Sequence, residues 1–151
     1  MIRSKILLRT LLITFVVCTC LVGVAAAETY QGFPISYSVL ADATKDGGIP
    51  SVDPVELKSG QYIKFEMINY GGTGYEWKLL NDPLKLVIPV YTSGPSQINP
   101  TPGLVGGPTS LVQVFQVKDG ANGEETFRYR LRRVWEKDSD IKKLNVKIIA
   151  N

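Results

Sequence analysis

Short segments in which apolar and polar residues alternate recur along the chain from about residue 35 onward, and Gly, Pro, Asn and Asp separate them. Alternation with a period of two is typical of half-buried β-strands. The pattern predicts strands at residues 35–40, 55–57, 62–68, 75–80, 84–91, 111–117, 126–132 and 144–149. Because no segment has a convincing helical periodicity, we expect an all-β fold, an immunoglobulin-like antiparallel β-sandwich of seven to eight strands.

The aromatic residues of the predicted strands divide into core and surface candidates. Trp77 follows Tyr75 on the same face of its strand and is expected to be a core tryptophan, and Tyr129 is expected to pack inside. Trp135 lies beyond the end of its strand and is interpreted either as a packing residue or as an exposed anchor. Arg130, Arg132 and Arg133 form either a solvated strand face or part of a binding surface.

Three unusual loops are predicted to meet at one end of the sandwich. Residues 69–74 and 92–108 are rich in glycine, and residues 132–138 place an arginine pair beside a tryptophan. In such a sandwich the BC, DE and FG loops lie at the same end, and these three segments occupy those positions. Arg and Trp are enriched at the energetic centres of protein interfaces, so the loop end is the candidate binding surface.

The N-terminal segment has the features of a secretory signal peptide. Residues 1–9 contain three basic side chains and no acidic one, residues 10–24 are almost entirely apolar, and Ala25, Ala26 and Ala27 are the small residues that a signal peptidase recognises. An uncleaved membrane anchor is the alternative, because residues 11–27 approach the length of a spanning helix. We expect a signal peptide at residues 1–27 and a mature domain at residues 28–151, secreted or periplasmic.

The composition of that mature domain excludes several classes of function. It has 14 basic and 14 acidic residues, so its net charge predicts no nucleic-acid partner and no membrane partner after signal cleavage. Both cysteines lie within the predicted signal and the chain has no histidine, which excludes disulfides, the usual zinc sites and His-based catalysis. We expect no cofactor. A carboxylate-only hydrolase is disfavoured, because Glu76 is a lone candidate.

The first glycine-rich loop carries a family motif. The sequence resembles the chagasin family of cysteine-protease inhibitors, in which the BC loop reads Asn-Pro-Thr-Thr-Gly, then an aromatic residue, any residue and Trp. The second Thr, the Gly, the aromatic residue and the Trp correspond to Thr73, Gly74, Tyr75 and Trp77. Tyr70 and Gly71 stand in place of the Asn-Pro pair. Residues 99–103 also begin with Asn-Pro but lack the aromatic and Trp that should follow, so they are assigned to the DE loop.

The two other loops extend the resemblance. Gly106 and Gly107 lead into a strand that contains Phe115, as in the DE element of the family, although the register of the glycines is open. The FG loop of the family ends in Arg-Pro-Trp, and here Val134 replaces the proline between Arg133 and Trp135. The missing prolines predict less preorganised loops and hence weaker binding.

The resemblance implies a monomeric, single-domain protein that is not an enzyme. It would be a secreted, reversible and noncovalent inhibitor that blocks the cleft of a papain-like cysteine protease with its BC, DE and FG loops. The residues implied in protease binding are Gly71, Gly72, Thr73, Gly74, Tyr75, Gly106, Gly107, Arg133, Val134 and Trp135. The alternative is an immunoglobulin-like binding or adhesion module without protease inhibition.

Overall fold

The computed structural model describes residues 28–100, 102–103 and 105–151, so the signal peptide predicted at residues 1–27 lies outside the described residues. The described part contains no helix, and therefore none that could cross a membrane. It forms ten strands: β1 (Glu28–Tyr30), β2 (Phe33–Asp42), β3 (Val55–Leu57), β4 (Tyr62–Asn69), β5 (Glu76–Leu79), β6 (Val87–Thr92), β7 (Ser96–Gln97), β8 (Thr109–Val117), β9 (Gly123–Arg132) and β10 (Lys142–Ala150).

Two sheets form the sandwich. In the described residues, one sheet has six strands in the order β1-β2-β4-β8-β6 with β7 paired to β8, and the other has four in the order β3-β10-β9-β5. The predicted all-β sandwich is confirmed, but its sheets are mixed. β2 pairs with β4 in parallel, and β3 pairs with β10 in parallel. The short β3 lies in the other sheet, so a crossover instead of a hairpin joins β2 to β4.

Two of the ten strands were not expected from the sequence. β1 has three residues and β7 has two, lengths at which an alternating pattern cannot be recognised. Residues 92–108 are therefore not one continuous loop, because β6 extends to Thr92 and β7 pairs with β8. Pro89 lies in the edge strand β6, where the pairing register shifts between Pro89 and Tyr91.

An aromatic cluster fills the space between the sheets. Phe65, Phe115, Phe127 and Tyr129 are at most 2% exposed, and the ring centroids of Phe65 and Phe127 are 4.6 Å apart. The Tyr129 hydroxyl donates to Gln113 Oε1 at 2.7 Å, and burial raises the pKa of Tyr129. Trp77 is 4% exposed and its indole nitrogen donates to the carbonyl of Ile68 at 3.2 Å. The predictions that Trp77 and Tyr129 belong to the core are correct.

The strand registers bring four strand ends to one end of the sandwich. The last residue of β4, Asn69, pairs with the first residue of β8, Thr109. The first residue of β5, Glu76, pairs with the last residue of β9, Arg132. β7 also ends here, because Gln97 pairs with Thr109. The segments that leave these strands, residues 70–75, 98–108 and 133–141, therefore emerge side by side.

Candidate functional site

We call these segments the first loop (residues 70–75), the second loop (98–108) and the third loop (133–141), and together the loop end. The first and second loops are in contact through their backbones. A β-carbon on Gly71 would lie 1.5 Å from the carbonyl oxygen of Gly107, and one on Gly72 would lie 3.1 Å from the α-carbon of Gly106. Only glycine at residue 71 allows two peptide chains to approach this closely.

The first and third loops are joined through side chains. Arg133 donates from Nε to the carbonyl oxygen of Thr73 at 3.1 Å, and its guanidinium carbon lies 4.6 Å from the centroid of the Tyr75 ring. The same guanidinium donates from Nη1 to Glu136 at 3.1 Å. Arg133 thus combines a hydrogen bond, a cation–π contact and an ion pair in one fixed position.

Trp135 covers Gly74, near the end of the first loop. Gly74 has a φ of +75°, and a β-carbon there would lie 2.3 Å from Cη2 of the Trp135 indole. Two features therefore require glycine at residue 74: its left-handed backbone conformation, and the indole that occupies the space of a side chain. Within the first loop the Thr73 hydroxyl donates to the carbonyl oxygen of Tyr70 at 2.9 Å, which closes the turn.

Two buried polar side chains support the loops from beneath. Asn69, 7% exposed, donates from Nδ2 to the carbonyl of Tyr75 at 2.6 Å and accepts a hydrogen bond from the Thr109 hydroxyl. The hydroxyl of Ser139 accepts the backbone N–H of Arg133 at 3.0 Å and lies 2.9 Å from the carbonyl of Glu136. Asn69 ties the first loop to the start of β8, and Ser139 closes the third loop on itself.

Each of the three loops exposes at least one large apolar side chain. Val105 is 93% exposed, Trp135 69%, Val134 53% and Tyr70 39%. The third loop also exposes the charged residues Glu136, Lys137 and Asp138. Exposed apolar side chains on loops that are tied to one another are typical of interaction surfaces. Of the two interpretations of Trp135, the exposed one is correct.

The structure brings together all of the sequence-predicted site residues, but it gives them different positions. Gly71, Gly72, Gly106 and Gly107 lie where the first two loops meet, and Val134 and Trp135 face outward. Tyr75 packs partly against the core, and Arg133 lies over its ring. Tyr75 and Arg133 are therefore located between the loops and not at their tips. Arg130 and Arg132 lie on the outer face of the four-stranded sheet, 4.0 and 3.6 Å from Asp140.

Sequence reasoning missed Asn69 and Ser139 as supports and Val105 as an exposed residue. An apolar residue within a loop of Gly and Pro, as at Val105, is a signal that could have been used. Nothing local distinguishes Asn69 or Ser139 from ordinary turn residues. Asn69 binds Thr109, 40 positions along the chain, and this separation hides the contact from sequence analysis, whereas Ser139 binds Arg133 and Glu136 of its own loop.

The loop end offers binding chemistry more than catalytic chemistry. Glu76, the lone catalytic candidate, forms an exposed ion pair with Lys78 at 3.1 Å. In the described part of the chain, no three His, Cys, Asp or Glu side chains are close enough together to hold a metal ion. The three loops present closely packed glycine backbone, exposed apolar side chains and, on the third loop, exposed charged side chains.

Comparison with known proteins identifies the family and relates the fold to solved structures. Residues 56–148 match the family model "Chagasin family peptidase inhibitor I42". The cysteine protease inhibitor EhICP2 from Entamoeba histolytica has a similar fold, with a TM-score of 0.58 and 16% identity over 76% of this chain and 96% of that one. Amebosin has a TM-score of 0.54 and 13% identity over 76% and 97%. No curated protein matches the sequence significantly. On the family match, this chain belongs to the chagasin family of peptidase inhibitors.

Proposed function

We propose that the protein inhibits papain-like cysteine proteases by inserting its loop end into their active-site cleft, reversibly and without a covalent bond. The single observation that carries the proposal is that Val105, Val134 and Trp135 are exposed on loops that are tied to one another. Family membership and the fold shared with a cysteine protease inhibitor support the choice of target class. The protein itself is then not an enzyme.

The first loop would lie deepest in the cleft. Gly72 and Gly74 have φ values of +69° and +75°, whereas an extended strand has a φ near −120°. A protease binds its substrates as extended chains, so this loop would occupy the cleft without presenting a peptide bond for cleavage. Glycine at residues 71, 72 and 74 keeps the backbone free of side chains that would hold it away from the enzyme.

The contacts between loops would supply the rigidity that favours tight binding. Gly71 stands where the family motif has a proline. There is no room at this residue for any side chain, because the backbone of Gly107 lies against it. The Arg133 hydrogen bond to Thr73 and the Trp135 contact with Gly74 hold the third loop against the first. Preorganisation of this kind lowers the entropy lost on binding.

A titration of papain with the purified protein tests the proposal. We expect inhibition that is reversed by dilution and weakened about thirtyfold or more by Trp135→Ala, since truncation of a central interface Trp typically costs about 2 kcal/mol or more. Leu80→Ala is the matched control, because Leu80 is an exposed apolar residue, 49% exposed, beyond the far end of β5. Its inhibition constant should equal that of the unmodified protein.

The outcome separates two classes of function. If neither papain nor several related proteases are inhibited at micromolar concentration, the protein is better described as a sandwich-type binding or adhesion module. Equal inhibition by the Trp135→Ala variant and the unmodified protein would instead retain the inhibitor class and reject the loop end as its contact surface.

We also propose that residues 1–27 are removed as a signal peptide and that the domain at residues 28–151 acts as a secreted or periplasmic monomer. The first described strand begins at Glu28, whose carboxylate lies 2.5 Å from the amine of the buried Lys64. The first residue after the proposed cleavage site thus already takes part in the fold. Mass spectrometry of the exported protein should find Glu28 at its N-terminus, and sedimentation should give the monomer mass.

A further inference from the structure

The outer face of the four-stranded sheet carries three cations in one row. The strand registers place Lys78 of β5 opposite Arg130 of β9, and Arg130 opposite Lys143 of β10. Side chains directly opposite each other on one face of a sheet are about 5 Å apart, and like charges in such positions are destabilising. The row therefore costs stability, and an anionic ligand would relieve that cost.

Acidic residues of the protein neutralise only part of this face. Lys78 pairs with Glu76 at 3.1 Å, whereas Arg130 is 4.0 Å from Asp140, which lies closer to Arg132 at 3.6 Å. Among the residues that the structure describes, neither Arg128 nor Lys143 has a carboxylate oxygen within 4.0 Å. The net charge of zero for residues 28–151 thus hides a local excess of positive charge.

A polar concavity lies next to the row. Its volume is about 400 Å³, and it is lined by Asn81, Thr126, Arg128, Arg130 and Asn145. The Arg130 guanidinium is fixed, because Nη1 donates to the carbonyl of Tyr129 at 2.7 Å and to Asn145 Oδ1 at 2.9 Å. The Asn81 side chain is fixed by the carbonyl of Thr126 at 2.7 Å and the backbone N–H of Arg128 at 3.1 Å.

We propose that this face binds an acidic polysaccharide, with a carboxylate or sulfate group of the sugar chain on Arg128 and Arg130. A guanidinium pairs with such oxyanions through two parallel hydrogen bonds. Thr126 and Asn145 supply the hydroxyl and amide groups that suit sugar hydroxyls, and Lys78 and Lys143 lie where further acidic groups along the polymer would pass.

The absence of exposed aromatic residues on the described strands β5, β9 and β10 favours a sugar chain over a single-stranded nucleic acid. Proteins that bind single-stranded nucleic acid combine a basic groove with aromatic side chains on which bases stack. In the described strands β5, β9 and β10, the aromatic residues Trp77, Phe127 and Tyr129 are all buried on the inner face, at most 4% exposed. The outer face offers charge and hydrogen bonds alone.

The polysaccharide face and the loop end are different surfaces that meet at Asp140. The concavity lies along the middle of β9 and β10, whereas the contacts among the three loops lie beyond Arg132, and Asp140 of the third loop lies 4.0 Å from Arg130. The protein could therefore be held on a polymer and contact a protease at the same time. Simultaneous contact with a polymer and a protease rests on the proposed inhibition. Binding of the polymer alone does not depend on it.

Binding of the purified protein to immobilised heparin and to soluble polygalacturonate tests the inference, with dextran as a neutral polymer and single-stranded DNA as a second polyanion. We expect binding to both acidic polysaccharides that weakens as salt is raised, and none to dextran. Arg128→Gln and Lys143→Gln should each weaken binding about tenfold, the effect of removing a hydrogen bond to a charged group. Lys45→Gln, which removes an exposed cation from the turn after β2 of the other sheet, should change it little.

Three results would overturn the inference: no binding to either acidic polysaccharide, equal binding by the Arg128→Gln variant, or tighter binding to DNA than to both sugars. Thermal unfolding of each variant confirms that the fold is intact. Papain inhibition, measured separately on the same preparations, should be equal for Arg128→Gln and the unmodified protein. Failure of inhibition and failure of polymer binding are thus told apart.

Discussion

The indole of Trp135 fills the space in which a side chain on Gly74 would lie: a β-carbon at residue 74 would be 2.3 Å from Cη2 and 2.7 Å from Cζ2 of the ring. The exposed Trp135 of the third loop can therefore pack against the first loop only because residue 74 has no side chain. This contact links the loop that would enter a protease cleft to the residue that would pack beside that cleft.

Gly74→Ala should displace Trp135 and raise the inhibition constant for papain about tenfold, equivalent to about 1.4 kcal/mol. The matched control is Gly120→Ala, because Gly120 has a similar φ of +69° but nothing within 4 Å of an added β-carbon. Both variants should lose about 1 kcal/mol of stability through backbone strain. Tryptophan fluorescence and papain titration measure the two effects, and an equal loss of inhibition in both variants would show that strain alone is responsible.

Gly71→Ala should separate the first and second loops, because the new β-carbon would lie 1.5 Å from the Gly107 carbonyl. Backbone must move to relieve this overlap, so we expect weaker papain inhibition and a lower unfolding temperature. Gly107→Ala is the control on the other side of the contact, since a β-carbon there meets nothing within 4 Å. A Gly71→Ala variant as active and as stable as Gly107→Ala would contradict the close approach of the two loops.

Arg133→Lys should weaken inhibition by about 1–2 kcal/mol while the charge is kept. Lysine cannot reproduce the fixed planar group that contacts the Thr73 carbonyl at 3.1 Å and the Tyr75 ring at 4.6 Å. The measurement is the inhibition constant for papain as a function of salt. Arg128→Lys, a matched change on the sheet face, should have no effect, and a parallel loss in both variants would indicate a general electrostatic contribution instead.

Asn69→Ala should lower the free energy of unfolding by about 1–3 kcal/mol, because it leaves the carbonyl of Tyr75 and the hydroxyl of Thr109 without their buried partner. Urea denaturation measures the loss. Asn145→Ala provides the comparison, since Asn145 is exposed on the outer sheet face. The structural role assigned to Asn69 is wrong if the two variants are equally stable.

Asp42 should make folding stability sensitive to acid. Hydrogen bonds from Thr44, and the nearby Lys45, lower the pKa of Asp42 below its ordinary value of 3.8. A lowered pKa in the folded state stabilises the fold above the ordinary value, and this stabilisation is lost as pH falls below it. At neutral pH, Asp42→Asn should therefore be about 1–2 kcal/mol less stable than the unmodified protein, and the difference should shrink below pH 3.8.

Denaturant unfolding across this pH range checks the last expectation. Asp53→Asn, a change at an exposed aspartate, serves as the comparison measured at each pH. A difference for Asp42→Asn that is independent of pH would show that shape and not charge is what the site requires.

The alternating pattern was sufficient for the class of fold and for the long strands. β4, β8, β9 and β10 have eight or more residues each, enough for inward and outward positions to be distinguished, and Trp77 and Tyr129 were placed correctly in the core. The same pattern could not find β1 or β7, nor the parallel pairing of β2 with β4. Strand partners are chosen by contacts between distant segments, which local periodicity does not encode.

For the loop end, the sequence by itself determined which residues are small, apolar or cationic, and their order identified the family. Only the tertiary structure decided what each of them does. Gly71 looked like the loss of a stiffening proline, yet it lies where no side chain fits against Gly107. Arg133 was open to two interpretations, a solvated strand face or part of a binding surface, and the structure shows that it also binds Thr73 and Tyr75 of another loop. These roles arise from backbones and side chains some 35 to 60 positions apart in the chain, and folding alone brings them within contact distance.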